Sequence, residues 1–409
     1  MPADTALRFV MPAQLVRQVL QTLAPAIPAK KSSPDYHPLV TLTASTQDGL
    51  LFQAYDLDIA IAVRVPLSQE MPGVVVEQPG RCQLNYEQLR AALRSLRAPG
   101  TTPLRFDACP GPGQEGQAIC LLSAADNGHL AWREALVIYN YAQHRLPAVF
   151  GEPGKQALLV PLPVFTQLVC STSYAASRDP YRPALTKLVL ELERGTFTAV
   201  AADAYRLASL SVLLPGADDW PQPLLLDAQR LAEVARHFPA QGMLRLRWNA
   251  RQTVVQLDAG PHLTVWVECR ASTYPTWRQV IPKQFETTTS FTVAVDEVVR
   301  KLKRLVEEAK ADYYRVWFQL EPGAGLLTLA TTAGSSSPAP LPCADMVAEP
   351  GTPHLRVGLD VRHVLDVCRA NQGGHVRFAL RSPTSPVRIE YPEQPGFCGA
   401  LLPVLKSPS

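Results

Sequence analysis

The chain has 409 residues, of which 47% are hydrophobic, enough for several ordinary domains with apolar cores. Its net charge of +3 excludes a uniformly basic nucleic-acid binder, so any basic surface has to be local. No apolar run is long enough to span a bilayer, and the N-terminal MPADTALRFVMPAQLV lacks the features of a signal peptide, so we expect a cytoplasmic protein.

One order of predicted elements occurs three times along the chain, at a spacing of roughly 130 residues. The first unit opens with LRFVMPAQLVRQVLQTLAPA, where Leu15, Val16, Val19, Leu20 and Leu23 form an apolar stripe at helical spacing. The strand patterns LVTLTAS and GLLFQAYDLDIAIAVRV follow, and then a second helix, LNYEQLRAALRSLRAPG. The strands TPLRFDA, AICLLSA and EALVIYNY close this unit.

The second and third units repeat that order. In the second, the helices are LLVPLPVFTQLVCSTSYAAS and LDAQRLAEVARHFPAQG, and strands such as KLVLELE, GTFTAVAADAYRLASLSV and HLTVWVECRAS accompany them. In the third, FTVAVDEVVRKLKRLVEEAK and LDVRHVLDVCRANQGG are the helices, and YRVWFQLE, GLLTLATT, VRFALRSPTSPVRIE and FCGALLPVL the strands. Two Pro/Gly/Ser-rich stretches, 109–116 and 332–343, are predicted loop insertions.

Each second helix carries predicted end signals. Asn85, Asp227 and Asp360 stand at N-cap positions, and Gly100, Gly242 and Gly373 are predicted to end the same helices. The sequence therefore predicts an α+β protein in which two helices pack on a curved antiparallel β-sheet, used three times. We predict domains at 1–154 (with the loop insertions in the first), 155–285 and 286–409.

Motifs for catalysis or metal binding are absent from the sequence. The eight cysteines form no CxxC pair, the eight histidines have no ligand spacing, and no GxxxxGK[ST], GxSxG or HExxH occurs. Asp56, Asp58 and Asp203 could be read as paired acids, but we expect them to accept backbone hydrogen bonds at strand ends. The sequence predicts no catalytic residue, no metal and no cofactor.

Several motifs resemble the DNA polymerase III beta subunit, the bacterial sliding clamp. SRDPYRPALTKLVLE (177–191) is similar to the family's Ser-x-Asp-x-x-Arg-Pro-x-Leu segment, and VAADAYRLA (200–208) to Val-Ala-Thr-Asp-Gly-x-Arg-Leu-Ala. TYPTWRQVIP (273–282), AYDLDIAIAV (54–63) and the closing ALLPVLK (400–406) also resemble family motifs, in the correct order. The resemblance covers essentially the whole chain, although 99–154 matches poorly.

The resemblance implies a DNA polymerase processivity factor without catalytic activity. Two copies of the chain would pair head to tail in a homodimeric ring, with the helices lining a hole that encircles duplex DNA without sequence specificity. The implied partners are the polymerase III alpha subunit, a clamp loader complex and clamp-binding repair proteins, with no membrane partner. The alternative left open is a divergent clamp paralogue that acts as a protein scaffold with weak or no DNA loading.

Basic residues recur on the predicted helices and on the loops after the first helices. A solvated helix face explains any one of them, but their recurrence on homologous helices favours a common positive surface facing DNA. The predicted DNA-facing residues are Arg17, Lys30, Lys31, Arg90, Arg94, Arg97, Arg178, Arg182, Arg230, Arg300, Lys303 and Arg304.

The resemblance also implies a peptide-binding pocket between the second and third domains. Its expected residues are Leu185, Ala202, Ala204, Tyr205, Arg206, Leu207, Pro275, Gln279, Val280, His363, Ala400, Leu402, Pro403 and Val404. Leu185, Leu207 and Val280 could equally be ordinary core residues, whereas Arg206 in an apolar strand needs a partner or an open edge. The family usually has Thr and Gly at the positions of Ala202 and Ala204, and Met at those of Leu402 and Val404, so we expect an altered peptide preference.

Overall fold

The structure is a computed structural model of the chain. It describes residues 6–27, 38–56, 58–68, 73–109, 118–126, 129–139, 157–217, 220, 222–249, 253–269, 273–332, 334, 339–348, 354–371 and 374–405. Most of the first predicted loop insertion (109–116) falls outside these ranges, as do Lys30 and Lys31. Much of the second (332–343) is described, and there Leu341–Pro342 form a short paired strand instead of loop. In the described part of the chain, no helix is long and apolar enough to cross a membrane.

The first repeat runs from β1 to β9 and includes two helices. Its elements are β1 (Leu7–Pro12), α1 (Ala13–Leu23), β2 (Leu39–Ser45), β3 (Gly49–Tyr55), β4 (Ile59–Val65), β5 (Val75–Gln78), β6 (Gly80–Asn85), α2 (Tyr86–Ser95), β7 (Pro103–Cys109), β8 (Ile119–Asp126) and β9 (His129–Tyr139).

The second repeat has the same order, and its described residues contain no counterpart of β5. Its elements are β10 (Ala157–Pro161), α3 (Leu162–Thr172), β11 (Lys187–Glu193), β12 (Thr196–Ala202), β13 (Arg206–Leu213), β14 (Leu224–Asp227), α4 (Ala228–Ala235), β15 (Met243–Trp248), β16 (Val254–Ala259) and β17 (Leu263–Glu268).

The third repeat restores the additional strand. Its elements are β18 (Thr289–Ala294), α5 (Val295–Ala309), β19 (Arg315–Glu321), β20 (Leu326–Ala330), β21 (Leu341–Pro342), β22 (Ala344–Val347), β23 (Leu355–Asp360), α6 (Val361–Ala370), β24 (His375–Leu380), β25 (Val387–Glu390) and β26 (Phe397–Leu401).

Strand pairing gives every repeat the same pair of antiparallel sheets. One has the order β4-β3-β2-β6 in the first repeat, β13-β12-β11-β14 in the second and β21-β20-β19-β23 in the third. The other has the order β9-β8-β7-β1-β5, β17-β16-β15-β10 and β26-β25-β24-β18-β22. With two helices in each repeat, this topology confirms the predicted α+β fold built from three copies of one unit.

The contacts between residues divide the chain into two compact units. One consists of Met1–Phe165 with Arg236–Cys269, and the other of Thr166–Ala235 with Arg270–Ser409. Within the first unit, β17 pairs with β4, and within the second unit β26 pairs with β13. The strands of the second repeat are thus shared between the two units, and the three-domain division at the boundaries given above stays a prediction.

Equivalent core positions hold equivalent side chains in the first and third repeats. Phe9 of β1 lies opposite Phe106 of β7, and their rings stack with centroids 4.4 Å apart. Phe291 of β18 lies opposite Phe378 of β24, with centroids 5.2 Å apart. All four side chains are buried, and stacked aromatic pairs of this kind contribute about 1 kcal/mol beyond the burial of their area.

The predicted N-caps of the second helices are confirmed. The Asn85 side chain accepts hydrogen bonds from the backbone N–H groups of Glu87 and Gln88 at the start of α2. Asp227 accepts from Arg230 N at 3.0 Å in α4, and Asp360 accepts from Arg362 N at 2.8 Å in α6. Each side chain satisfies backbone donors that have no partner within the helix.

The predicted C-caps Gly100 and Gly242 are wrong. Helix α2 ends at Ser95 and α4 at Ala235, several residues before Gly100 and Gly242, while Gly373 lies outside the described residues. Gly100 O instead accepts a hydrogen bond from Gln14 N in α1, and Gly242 O accepts from Leu162 N in α3, at 2.8 and 2.9 Å. A Cβ on Gly100 would lie 2.9 Å from Gln14 Oε1, so glycine permits this close approach.

The third repeat makes the same connection one residue later. Gly374 O accepts from Val295 N, the first residue of α5, at 3.0 Å. The turn after each second helix therefore supplies an acceptor for the start of the first helix in the same repeat. Sequence spacing alone placed these glycines beside the wrong helix, because their partners are distant in the chain.

Candidate functional site

An apolar cavity of about 270 Å³ lies in the unit formed by Thr166–Ala235 and Arg270–Ser409. Its walls come from the segment before β11, the turn between β12 and β13, the loop at 274–280 and the C-terminal strand β26. The lining residues are Leu185, Ala202, Ala204, Tyr205, Arg206, Leu207, Tyr274, Pro275, Trp277, Val280, Ala400 and Leu402.

A hydrogen-bonded turn positions one wall of the cavity. Asp203 Oδ1 accepts from the backbone N–H groups of Tyr205 and Arg206, each at 3.0 Å, which fixes the turn between β12 and β13. Ala204 lies in this turn with a φ of 79°, in the left-handed region that favours glycine. The turn exposes Tyr205, which is 58% accessible to solvent, at the mouth of the cavity.

The pairing of β13 with β26 brings the C-terminal segment to the same place. Leu207 lies opposite Ala400, and beyond the strand the N–H of Leu402 donates to Tyr205 O at 2.8 Å. Leu207 and Ala400 are buried in one cluster with Val189, Val200 and Leu225. The cavity floor is therefore continuous with the hydrophobic core and is held by backbone hydrogen bonds.

Two aromatic residues that the sequence analysis did not include complete the cavity. Tyr274 and Trp277 both pack against the core cluster beneath it. The Arg278 guanidinium lies 4.5 Å from the centroid of the Trp277 ring, and its Nη2 donates to Glu191 at 2.5 Å. Both aromatic residues belong to the TYPTWRQVIP motif. Their aromatic character near Pro275, a predicted lining residue, was the one sequence signal that could have identified them.

Arg206 lies in an apolar strand, where a charged side chain needs a partner, and two carboxylates provide it. Its Nε donates to Asp203 at 2.9 Å, and its Nη1 donates to Asp366 of α6 at 2.7 Å. The guanidinium also lies 5.7 Å from the centroid of the Tyr174 ring, and the Arg206 side chain is 11% exposed. Its charge is offset inside the protein, which leaves the cavity predominantly apolar.

Burial favours the uncharged forms of two titratable groups near the cavity, His363 and Tyr274. Burial lowers the pKa of the half-buried His363, whose ring centroid lies 6.3 Å from that of Tyr205. Burial also raises the pKa of the Tyr274 hydroxyl above its ordinary value. An apolar ligand segment would therefore meet uncharged groups at these two positions.

Two of the acids that could have suggested catalysis, Asp56 and Asp203, accept backbone hydrogen bonds as predicted. Asp56 Oδ1 accepts from the N–H groups of Asp58 and Ile59 at 2.9 and 3.2 Å, between β3 and β4. Asp203 makes the equivalent pair of bonds in the second repeat. Among the described residues there is also no group of three or more His, Cys, Asp or Glu side chains suited to hold a metal ion.

The predicted DNA-facing cations differ in their surroundings. Arg94 is exposed at the end of α2, and Arg97 is exposed just beyond it. Arg90 is also exposed, and its Nη1 lies 3.8 Å from Glu87 Oε2. Lys303 and Arg304 are exposed on α5, where Arg300 donates to Glu297 at 2.6 Å. Exposed ion pairs of this kind are weak, so Arg90 and Arg300 can exchange their partners for phosphate at little cost.

The remaining predicted cations are less uniform. Arg17 is half-buried, and its Nη2 donates to the carbonyls of Leu93 and Leu96 near the end of α2, at 3.3 and 3.4 Å. Arg178 and Arg182 are both exposed, and Arg182 Nε lies 3.6 Å from Asp179 Oδ2. Arg230 of α4 is half-buried. These bonds hold the Arg17 guanidinium against the end of α2 through Nη2 alone.

Comparisons with known proteins find sliding clamps. No family model matches the chain. A beta sliding clamp of Micrococcus luteus is 32% identical over 120 residues, which cover 29% of this chain and 38% of that protein. A beta sliding clamp of Halalkalibacterium halodurans is 21% identical over 345 residues, which cover 83% of this chain and 84% of that protein.

A solved structure matches over nearly the whole chain. The DNA polymerase sliding clamp from Bacillus subtilis has a TM-score of 0.79 at 18% sequence identity, covering 98% of this chain and 100% of that one. The chain has the sliding-clamp fold. The resemblance drawn from the sequence motifs is confirmed, and the prediction of a non-catalytic clamp subunit agrees with these matches.

Within this sliding-clamp fold, most of the predicted pocket residues line the apolar cavity. Those that do not are Gln279, His363, Pro403 and Val404. Gln279 is exposed and accepts from Thr276 Oγ1 at 3.2 Å, His363 stands beside Tyr205, and Val404 N donates to Gly358 O at 2.8 Å. Pro403 follows Leu402 directly. Whether the cavity binds peptides stays a prediction.

Proposed function

We propose that the protein is a DNA polymerase processivity factor, without a catalytic site of its own, that acts on DNA in the cytoplasm. Two copies would form a ring around duplex DNA, opened by a clamp loader complex. The ring would tether the polymerase III alpha subunit and repair proteins. The threefold repeat of the clamp topology over the whole chain carries this proposal.

The basic helices support the part of the proposal that concerns DNA. Exposed Arg and Lys side chains on α2 and α5 can neutralise phosphates without reading base edges. A sliding tether needs this sequence-independent attraction, because base-specific contacts would hold it at one site. The acidic Glu87 and Glu297 beside Arg90 and Arg300 keep the attraction weak.

The apolar cavity supports the part that concerns protein partners. Leu207 and Ala400 form a buried floor, and Tyr205, Trp277 and Val280 form partly exposed walls, an arrangement suited to an extended peptide with hydrophobic anchors. About 270 Å³ is enough for one or two large apolar side chains. We therefore propose that partners insert a short segment with aliphatic or aromatic anchors.

Primer extension tests the proposal. The protein, its loader and the replicative polymerase of the same organism are assembled on a primed circular template, with excess trap DNA added to limit each polymerase to one binding event. Addition of the protein should lengthen the products, and Leu402→Asp should return them to the length seen without it, because a carboxylate in the cavity opposes apolar anchors.

Leu405→Asp is the matched control. Leu405 is exposed and lies outside the cavity lining, so this variant should give products as long as those of the unmodified protein. Products of equal length with and without the protein would contradict the processivity function. Full activity of Leu402→Asp would contradict the assignment of the cavity as the tethering site.

A further inference from the structure

The strand that ends each four-stranded sheet pairs with another repeat in two of the three repeats. In the first repeat, β4 pairs with β17 of the second repeat, from Leu263↔Val63 to Val267↔Ile59. In the second repeat, β13 pairs with β26 of the third, from Arg206↔Leu401 to Leu210↔Phe397. The equivalent strand of the third repeat is β21, and among the described strands it pairs with β20 alone.

The complementary edge belongs to β9, the equivalent of β17 and β26. Ile138 N donates to Ala118 O at 2.9 Å, so Ile138, Leu136, Glu134 and Trp132 direct their backbone groups towards β8. Arg133 and Ala135 lie between these positions and direct theirs to the opposite side. There, the pairing of β9 with β6 is confined to residues 138 and 139 within the described strands.

By this equivalence, the strand that would pair with the open edge of β21 is β9 of a second copy of the chain. Each of the other two end strands takes the closing strand of a repeat, and β9 is the closing strand that remains. This assignment rests on the proposed function, in which two copies close a ring. The backbone chemistry of β21 then decides how strong the contact is.

Proline occupies the outward position of β21, Pro342, and a second proline, Pro340, directly precedes the strand. Cys343 N donates to Gly325 O at 2.9 Å, so Cys343 and Leu341 direct their backbone groups towards β20. Pro342 and Pro340 therefore direct theirs to the open side, where neither has an N–H to donate. The equivalent strands β4 (IAIAVRV) and β13 (RLASLSVL) contain no proline.

We propose that β21 is an edge that accepts but does not donate backbone hydrogen bonds. A β9 strand added from a second copy would form the bonds in which β9 is the donor and lose those in which Pro340 and Pro342 would donate. The missing donors weaken the contact between copies at this one strand, as edge prolines weaken unwanted strand pairing in other proteins. The ring would open at this contact without disturbing either internal repeat junction.

Sedimentation velocity over a dilution series of the full chain tests this proposal. Restoring two donors with the double variant Pro340→Val and Pro342→Val should lower the concentration at which the dimer half-dissociates by roughly tenfold or more. Pro215→Val is the control, because Pro215 is an exposed turn residue outside the edge and its replacement should leave that concentration unchanged.

The opposite side of the contact gives an independent variant. Ala135→Pro removes an outward donor of β9 without removing a bond to β8, so it should raise the half-dissociation concentration, whereas Ala135→Val should not. Thermal unfolding of each variant verifies that β9 still folds. A double proline variant that dissociates like the unmodified chain, or an Ala135→Pro variant that associates normally, would overturn the proposal.

These results are separable from those for the proposed function. A dimer that responds to the variants as expected but is not retained on circular DNA would support the edge proposal and contradict the clamp function. A dimer that is retained on circular DNA but is insensitive to all of the edge variants would support the clamp function and overturn the edge proposal.

Discussion

Ala204 is the residue at which this chain most clearly departs from the clamp motif, and its backbone shows the cost. Its φ of 79° is unfavourable for any residue with a Cβ. Ala204→Gly should therefore raise the free energy of unfolding by about 0.5 kcal/mol, measured by urea denaturation. Ala202→Gly, one residue before Asp203 in β12, is the matched control and should lower it by about 0.5–1 kcal/mol. Equal effects of the two variants would contradict the assigned strain.

His363 gives the region around the cavity a pH dependence. Burial is the main cause that lowers its pKa below 6.5, and Arg206 and Arg362 act in the same direction, whereas Asp360 and Asp203 oppose it. The unfolded chain therefore binds a proton at a higher pH than the folded chain. The free energy of unfolding should be constant above about pH 6.5 and fall as the pH drops below that value.

Calorimetric melting temperatures between pH 7.5 and 5.5 measure this dependence. His363→Gln should flatten the acid side of the profile, although His237, whose pKa is also lowered chiefly by burial, retains part of it. His237→Gln alone provides the size of that second contribution. If the profiles of His363→Gln and the unmodified protein coincide, His363 does not have the assigned environment.

At the scale of elements, the basic residues on α2 and just after it should determine much of the attraction to DNA. Replacing Arg90, Arg94 and Arg97 by Ser removes three exposed cations, so the slope of the logarithm of DNA affinity against the logarithm of salt concentration should fall by up to about 3. Arg245, Lys283 and Arg381, exposed outside the helices, form the control set with the same loss of charge. A control set that lowers the slope equally would contradict a role specific to the helix face.

Elements were predictable wherever the residues that stabilise them lie close together along the chain. The stripes of α1 and α5 are buried except for the half-buried Leu15, Val299 and Val306. The N-caps Asn85, Asp227 and Asp360 accept from donors two or three residues away. The glycines after the second helices were misassigned because their acceptor role depends on helices that lie far away in the sequence. Local signals specify local bonds, and they do not identify the distant residue that requires a close approach.

The cavity follows the same rule. Motif resemblance identified Leu185, Leu207 and Leu402 as lining residues, since those motifs come together in the fold. Tyr274 and Trp277 were missed because an aromatic residue in a loop has no periodicity that distinguishes a cavity wall from solvent exposure. The pairing of Arg206 with Asp366 could not be predicted either, because α6 and β13 are 160 residues apart.

At the scale of the whole molecule, the threefold repeat was readable from the sequence, whereas the junctions between repeats were not. The pairings of β4 with β17 and of β13 with β26 join strands that carry no sequence mark of their partner. They nevertheless show that the end strands of the first and second repeats are each extended by a strand of the following repeat. In the proposed function, a second copy would complete that series and encircle DNA.

Retention on DNA of defined topology tests encirclement most directly. The protein is loaded with its clamp loader and ATP on a nicked circular plasmid, separated from unbound protein at a salt concentration that removes non-specific binding, and the plasmid is then cut once. The account predicts that the protein remains on the circle and leaves after linearisation, because a closed ring can slide off an end. Protein that stays bound after the cut, or that never remains on the circle, would contradict it.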